Sequence, residues 1–383
     1  NGNYNGTTTT GGGGVTITLT GDCEFDAVTI AATDTLDLNG QRAEFSGLLS
    51  STGTIACGTN ALVVADSTST TSSTTGNMNL IETGDGHTHT LTSSTITNWL
   101  LNGGTISNSA HGHMADNIIV GAGKFDVGHN IASGTPIVNI TTATGAELDG
   151  NTFTLPLSGD FTTSGGLIGK SALNLTGAEE VTGSDNLDEV ATTNKFTIEA
   201  WFKASTDANY RGIFSRGTGY DAGNLYVYQD ADGNVKASAN DLGNTLTSTT
   251  AGLADGKWHH VAYTYDTTTI KLYIDGKLEA TAASTAGINT QTNGFKIGDR
   301  SGQNFIGNIG RVSIWKSALS ETLIRKMFFM DWTTMAADSD FTDSDAIGWW
   351  QFDEGTSTAV EDLSSQSNDG TLNSAAWAGA GTF

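Results

Sequence analysis

From Lys257 to Lys277 the chain reads KWHHVAYTYDTTTIKLYIDGK, with apolar residues at every second position. Val261, Tyr263 and Tyr265 share one face of a first run, and Ile270, Leu272 and Ile274 share one face of a second. Period two marks a half-buried strand, because successive side chains in a pleated strand point to opposite faces. Asp266-Thr-Thr-Thr separates the runs as a short turn. Asp275-Gly276 closes the second, since Gly accepts the positive φ of a tight turn. The stretch predicts a β-hairpin within a larger antiparallel sheet, with Trp258 as its apolar anchor.

Toward the N-terminus the alternation continues in shorter runs: VTITLT (15–20), DAVTIAA (26–32), TLDLNG (35–40), TIACG (54–58), ALVVAD (61–66), STITNWLL (94–101), NIIV (117–120), PIVNIT (136–141) and AELDGNTFTL (146–155). Asn, Gly, Asp, Ser and Thr separate them, and no helical period intervenes. Residues 1–14, NGNYNGTTTTGGGG, read as a flexible lead-in. Residues 67–76, STSTTSSTTG, read as a surface loop. Gly165-Gly166 is the expected hinge between an N-terminal domain at 15–165 and a C-terminal one at 166–383. The one helix expected is Ser320–Met330, with Ser320 as N-cap and Glu321 in its first turn.

Several motifs carry a resemblance. GKSALNLTG (169–177), FTIEAWFK (196–203), the Lys257–Lys277 hairpin, FKIGD (295–299), FIGNIGRVSIW (305–315), SALSETL (317–323) and WQFDEGTSTAVEDLSSQSNDGTL (350–372) resemble, in order, segments of laminin-G-like, concanavalin-A-like jelly rolls. The resemblance implies an antiparallel sandwich for the C-terminal domain. It implies no single function, because this fold hosts lectins, glycosidases, adhesion modules and spacers. LDLNG (36–40) and ELDGN (147–151) share a turn that resembles coils of pectin-lyase-like right-handed β-helices. There each coil stacks on the next with apolar side chains inward. The expected fold is all-β: an N-terminal β-solenoid or β-rich stalk, then a jelly roll. A β-sandwich is the alternative for the first domain.

Net charge is −24, from 17 Lys+Arg against 41 Asp+Glu. Residues 1–166 hold 2 basic and 14 acidic residues and the remainder 15 and 27, so each part carries −12. This balance argues against nucleic-acid partners and anionic membrane surfaces, which need concentrated Lys and Arg. No apolar run approaches the ~20 residues of a membrane-spanning helix. Gly numbers 49 and Pro only 2, with Ser and Thr abundant, which suits short strands and many turns. Such composition is common in extracellular and virion structural proteins. Cys23 and Cys57 either pair or are buried thiols stacked on neighbouring coils; two cysteines make no disulfide framework. Asn1, rather than Met, at the start suggests a segment removed upstream.

Four kinds of chemistry have candidate residues. For hydrolysis, jelly-roll glucanases carry E-x-D-x-x-E on one strand face; the corresponding strand here has only Glu199, and in the first domain Asp22, Glu24 and Asp26 read as a solvated face. No catalytic residue is assigned. For a transition metal, His87/His89 and His111/His113 are H-x-H pairs, each on one face if in a strand; GDGHTHT (84–90) resembles H-x-H segments of trimeric phage tail fibres, and surface-turn histidines stacked on adjacent coils are the alternative. For calcium, Asp362, Asn368 and Asp369, with Asp185 and Asp188, supply the oxygens a hard cation takes, and the 362–370 loop resembles the "DSSGNGNDG" loop of the jelly rolls; Asx-turns without metal are the alternative. For sugar stacking, Tyr210, Tyr220, Tyr226, Tyr228 and Trp332 are the aromatic candidates, while Trp201, Trp258, Trp315 and Trp350 read as core.

The expectation is a non-enzymatic structural protein at a virion or extracellular surface, as decoration, fibre or appendage. Its lectin-like module binds glycans, and it assembles with itself, a trimer being one form, or with a capsid or appendage lattice. A bacterial adhesin or extracellular filament subunit is the alternative, and a polysaccharide-degrading enzyme comes after both.

Overall fold

The computed structural model describes residues 2–83, 87–93, 96–108, 115–126, 139–143, 146–149, 161–165, 171–206, 210–219, 221–374 and 377–378. They fall into two compact units, residues 1–164 and 165–383.

The first unit is a β-solenoid. Its strands are β1 (Gly2–Thr9), β2 (Thr16–Thr18), β3 (Cys23–Ile30), β4 (Thr35–Asp37), β5 (Arg42–Ser51), β6 (Thr54–Glu82), β7 (His87–Ser93), β8 (Ile96–Asn108), β9 (Ala115–Asp126), β10 (Asn139–Ala143), β11 (Glu147–Asp149) and β12 (Phe161–Gly165). The pairings from β1 through β11 are parallel. Phe25 stands beside Phe45 and Phe45 beside Ala65, at steps of 20 residues. Leu80, Trp99, Ile118 and Ile140 stack at steps of 19, 19 and 22. All of these are buried, so each column is a strip of core one coil thick repeated along the axis. The Phe25 and Phe45 rings stack at 5.2 Å, and Trp99 meets Phe125 edge-on at 5.4 Å. The amides of Asn79, Asn98 and Asn117 form a ladder with bonds of 2.8 and 2.9 Å. In LDLNG, Leu36 and Leu38 point inward, while Asn39 and Gly40 turn the corner at φ 49° and 72°. This is the coil turn its sequence implies.

Two expectations change here and one alternative is decided. Residues 2–9, expected within a flexible lead-in, form β1 and pair with β3. The glycines after it are held by Asp34, whose carboxylate accepts from the Gly12 and Val15 amides at 2.9 Å each. The Ser/Thr stretch 67–76 lies within β6, not in a loop, because its backbone pairs with β5 on one side and β7 on the other. Of the two alternatives for Cys23 and Cys57, the thiols hold: they form no disulfide with each other, and Cys57 is fully buried in the solenoid core.

The second unit contains β13 (Ala172–Thr176), β14 (Glu180–Gly183), α1 (Glu189–Thr193), β15 (Phe196–Ala204), β16 (Arg211–Arg216), β17 (Leu225–Gln229), β18 (Val235–Ala239), β19 (Asn244–Thr247), β20 (His259–Tyr265), β21 (Thr269–Ile274), β22 (Lys277–Ala283), β23 (Phe295–Ile297), β24 (Ile306–Trp315), α2 (Glu321–Met327), α3 (Trp332–Ala336), β25 (Ala346–Trp350), β26 (Ala359–Val360), β27 (Gly370–Asn373) and β28 (Trp377–Ala378). Two sheets result. One runs β22-β21-β20-β15-β24-β13-β28 with β25 beside β24; the other runs β19-β18-β17-β16-β23-β14-β27-β26. Their inner faces meet over one apolar core that includes Leu173, Val181, Phe196, Phe202, Phe214, Leu225, Val227, Phe295 and Trp350. The hairpin pairs Val261 with Ile274, Tyr263 with Leu272 and Tyr265 with Ile270, all buried in this core. Asp275 and Gly276 turn it at φ 48° and 72°.

Ser320 caps α2 by accepting from the Leu323 amide at 3.3 Å, but the helix ends at Met327, short of the expected Met330. The turns after α2 and the short α3 lie over the outer face of the first sheet. The Trp201 indole there donates to the Phe328 carbonyl at 3.0 Å, and Trp315, Met327, Met335 and Trp349 form a second apolar cluster.

Candidate functional site

On the outer face of the second sheet, β17 alternates. Leu225 and Val227 enter the core, so Tyr226 and Tyr228 project the other way. Tyr228 stands between Gly212 of β16 and Lys236 of β18, and Tyr226 between Ser215 and Ser238. Gly212 is required for a physical reason: a Cβ there would lie 2.2 Å from the Asp299 carbonyl carbon and 2.3 Å from the Arg300 amide. That close approach brings the turn between β23 and β24 across the tyrosines.

The turn is rigid. Arg300 and Gln303 exchange backbone bonds of 3.4 and 3.2 Å, with Ser301 and Gly302 at φ 56° and 83°. Asp299 braces it: Ser215 Oγ donates to its carbonyl at 2.9 Å, and Lys296 Nζ and the Gly302 amide donate to Oδ2 at 2.9 and 3.1 Å. Arg300 therefore lies over a tyrosine cluster, its guanidinium carbon 4.4 Å from the Tyr228 ring centre, 4.7 Å from Tyr226 and 5.4 Å from Tyr210. Cation–π contacts of this kind contribute about 0.5–2 kcal/mol each. Tyr210 completes the cluster from just before β16, at φ 59° and 5.9 Å from the Tyr228 ring. A non-glycine residue in that region costs about 1–2 kcal/mol, which the ring contacts offset.

Exposure divides the rings: Tyr226 is 1% and Tyr228 5% exposed, whereas Tyr210 is 43% exposed. Burial pushes the Tyr226 and Tyr228 hydroxyls up, against the pull of Arg300, so both stay neutral. Tyr226 Oη donates to the Gly219 carbonyl at 2.5 Å and accepts from Asn224 at 2.6 Å. Around the rings, polar atoms remain unsatisfied among the described residues: Nε of Arg211 and Arg300, Oδ1 of Asp299 and Oε1 of Gln303. These four atoms are buried, so the surface a pyranose meets here is the exposed Tyr210 ring, on which its apolar face stacks.

Of the five aromatic candidates, the structure brings Tyr210, Tyr226 and Tyr228 together. Trp332 sits elsewhere, edge-on to Trp349 at 5.7 Å in the cluster over the other sheet. Tyr220 lies outside the described residues. The sequence reading missed Arg300, Asp299 and Gln303. The Ser301-Gly302 turn between two predicted strands was the available signal, but it does not say what the turn lies upon.

Several of the candidate calcium oxygens accept hydrogen bonds from the protein. Buried Asp362 accepts from the Trp349 amide (2.7 Å), the Ser364 amide (2.9 Å), Ser364 Oγ (2.8 Å) and the Asn368 amide (2.8 Å), and Asp369 Oδ1 accepts from the Asp362 amide at 2.9 Å. Asn368 Nδ2 donates to the Ile347 carbonyl at 2.7 Å. Asp185 accepts from the Leu187 amide at 2.6 Å, and Asp188 pairs with Arg216. Among the described residues no group of three His, Cys, Asp or Glu side chains could hold a metal. His87 and His89 lie on β7, and His111 and His113 lie outside the described residues.

Glu199 is fully buried. It accepts from Arg311 Nε and Nη2 at 2.9 and 2.8 Å, Ser313 Oγ at 2.8 Å and His260 Nε2 at 2.7 Å. Burial alone would push its carboxyl up, but Arg311 and then His260 outweigh this and hold it at about 2. Sealed beneath Phe328 and α2, this carboxylate is structural. A separate cleft of about 280 Å³ is lined by Gln351, Phe352, Asp353, Glu354, Glu361 and Leu363. Burial, with Asp353 and Glu361 nearby, raises Glu354. Phe352 is buried, so the cleft offers no exposed ring.

Residues 176–325 match the family model of the concanavalin A-like lectin/glucanases superfamily. Among solved structures, one from Bacteroides ovatus described as a carbohydrate-binding protein is 20% identical over 60% of this chain and 62% of that one, with TM-score 0.44. The match thus spans less than two thirds of that protein's length. The Ruminococcus gnavus sialidase CBM40 bound to α2,3 sialyllactose is 20% identical over 42% of this chain and 98% of that one, with TM-score 0.33. Mouse laminin α1 domains LG4-5 are 15% identical over 40% and 43%, with TM-score 0.32. No curated protein matches the chain at a significant level.

Proposed function

We propose that this chain is a non-enzymatic surface protein whose jelly-roll domain binds a glycan on the Tyr210–Arg300 face. One observation carries the reading: an exposed tyrosine stands beside a guanidinium that also lies over two buried tyrosine rings on the outer face of one sheet. The family match at residues 176–325 supports saccharide binding as the class. The acidic, Lys-poor composition and the solenoid support an exposed setting. We place the protein on a virion as decoration, fibre or appendage, with a bacterial adhesin or filament subunit as the alternative, and in either setting as a homo-oligomer. A glycan array with the intact chain tests the site. Wild type gives saccharide signal, and Tyr210→Ala weakens it at least tenfold, about 1.4 kcal/mol. A blank array, or binding indifferent to Y210A, refutes the site.

Hydrolysis is favoured by one feature, the Asp353/Glu354/Glu361 cleft, in which one carboxyl is raised beside others. Release of reducing sugar from a polysaccharide, abolished by Glu354→Gln, would establish it. Our reading expects none.

A further inference from the structure

We propose that Arg300 is an anion-recognition element, so that the saccharide bound on this face carries a carboxylate or a sulfate. The inference rests on the glycan-binding reading and narrows it to acidic sugars.

The argument starts from charge accounting in a strongly acidic protein. Arg42 pairs with Glu44, Arg216 with Asp188, Arg311 with Glu199 and Arg325 with Glu321. With 41 carboxylates against 17 basic side chains, pairing is the expected state of an arginine here. Arg300 departs from it: among the described residues no carboxylate pairs with its guanidinium. Asp230 pairs with Lys236 at 2.9 Å, and Asp299 Oδ2 and Glu180 pair with Lys296 at 2.9 and 3.0 Å. Arg211, next to Tyr210, also has no carboxylate partner among the described residues, its Nη1 donating to the Asn304 carbonyl at 2.9 Å.

The guanidinium is also pre-organised. Three rings surround the guanidinium at 4.4–5.4 Å and a braced turn holds its backbone, so less rotamer freedom is lost on binding than for a free side chain. A planar fork held in one orientation matches the two oxygens of a carboxylate, or two of a sulfate, through parallel charge-assisted bonds. A neutral sugar would leave that charge unanswered. An acidic sugar stacked on Tyr210 brings the anion to it.

The test is calorimetry on the intact chain with tetragalacturonate, its methyl ester as the uncharged analogue, and a chondroitin sulfate tetrasaccharide. The variants are Arg300→Gln, Arg300→Lys and Tyr210→Ala, each checked for an unchanged melting curve. The expected result is that at least one acidic probe binds at least tenfold tighter than the methyl ester and loses that margin in R300Q and at high salt. R300K, which keeps the charge without the fork, retains part of the margin and supports the inference if R300Q folds poorly. Whichever acidic probe binds tighter names the group. Saccharide binding that Y210A weakens but R300Q leaves untouched overturns the inference and leaves the glycan-binding reading standing. No binding of any saccharide, here or on the array, overturns both.

Discussion

Removing Arg311 tests the account of the buried network most directly. In Arg311→Met the guanidinium disappears from beneath α2, together with its two bonds to Glu199 and its donations to the Met327 and Met330 carbonyls. Glu199 keeps Ser313 and His260 but loses its counter-charge. The folded pKa of about 2 against an ordinary 4.5 makes the native setting of Glu199 worth about 3 kcal/mol, at about 1.4 kcal/mol per unit. Breaking a buried pair from one side costs about 3–5 kcal/mol by the same logic. For a domain of this size that corresponds to a fall of about 6–20 °C in melting temperature. The pH dependence has opposite signs in the two proteins. In wild type the depressed pKa gives stability that is complete above pH 4.5 and is lost as pH falls toward 2. In R311M burial dominates and lifts Glu199 above its unfolded value, so the folded state takes up a proton first. The gap from wild type then narrows between pH 7 and pH 5. Urea unfolding followed by tryptophan fluorescence reads this unit well, because every tryptophan except Trp99 lies in residues 165–383. Glu199→Gln in the R311M background removes the stranded charge and recovers at least half of the loss. An R311M protein within about 1 kcal/mol of wild type, or a gap that widens toward pH 5, would refute the reasoning.

Two further outcomes are expected. If the Asp362 loop closes on its own hydrogen bonds, EGTA leaves the melting temperature of the second unit unchanged; a fall of several degrees, restored by added calcium, would put a cation there. Asn98→Leu breaks the middle rung of the solenoid ladder and strands the Asn79 carbonyl, costing about 1–3 kcal/mol in the first unit's transition by circular dichroism. An unchanged midpoint would mean the ladder is incidental.

Period-two alternation, by itself, determined the strands and their inward faces. Val261, Tyr263 and Tyr265 and their partners Ile274, Leu272 and Ile270 are buried as the pattern requires, because strand alternation is a local property of the backbone. Trp350 is core for the same reason, whereas Trp201 and Trp315, on the opposite face, are buried only because the turns after α2 cover them. The helix cap at Ser320 and the turns at Asp275-Gly276 and Asn39-Gly40 were also legible, since caps and left-handed turns select their residues locally. The coil repeat was blurred because its steps vary from 19 to 22 residues, so only the stacked structure aligns Leu80, Trp99, Ile118 and Ile140. The Ser/Thr run in β6 looked like a loop because its pairing partners, not its own side chains, make it a strand. Tertiary structure alone decided the chemistry. Glu199 reads as a lone acid until β20 and β24 bring His260 and Arg311 against it. Tyr210, Tyr226 and Tyr228 are ordinary tyrosines until Gly212 lets a turn about seventy to ninety residues further along the chain lay Arg300 across them. Such convergence depends on which strands become neighbours, and no local period records that.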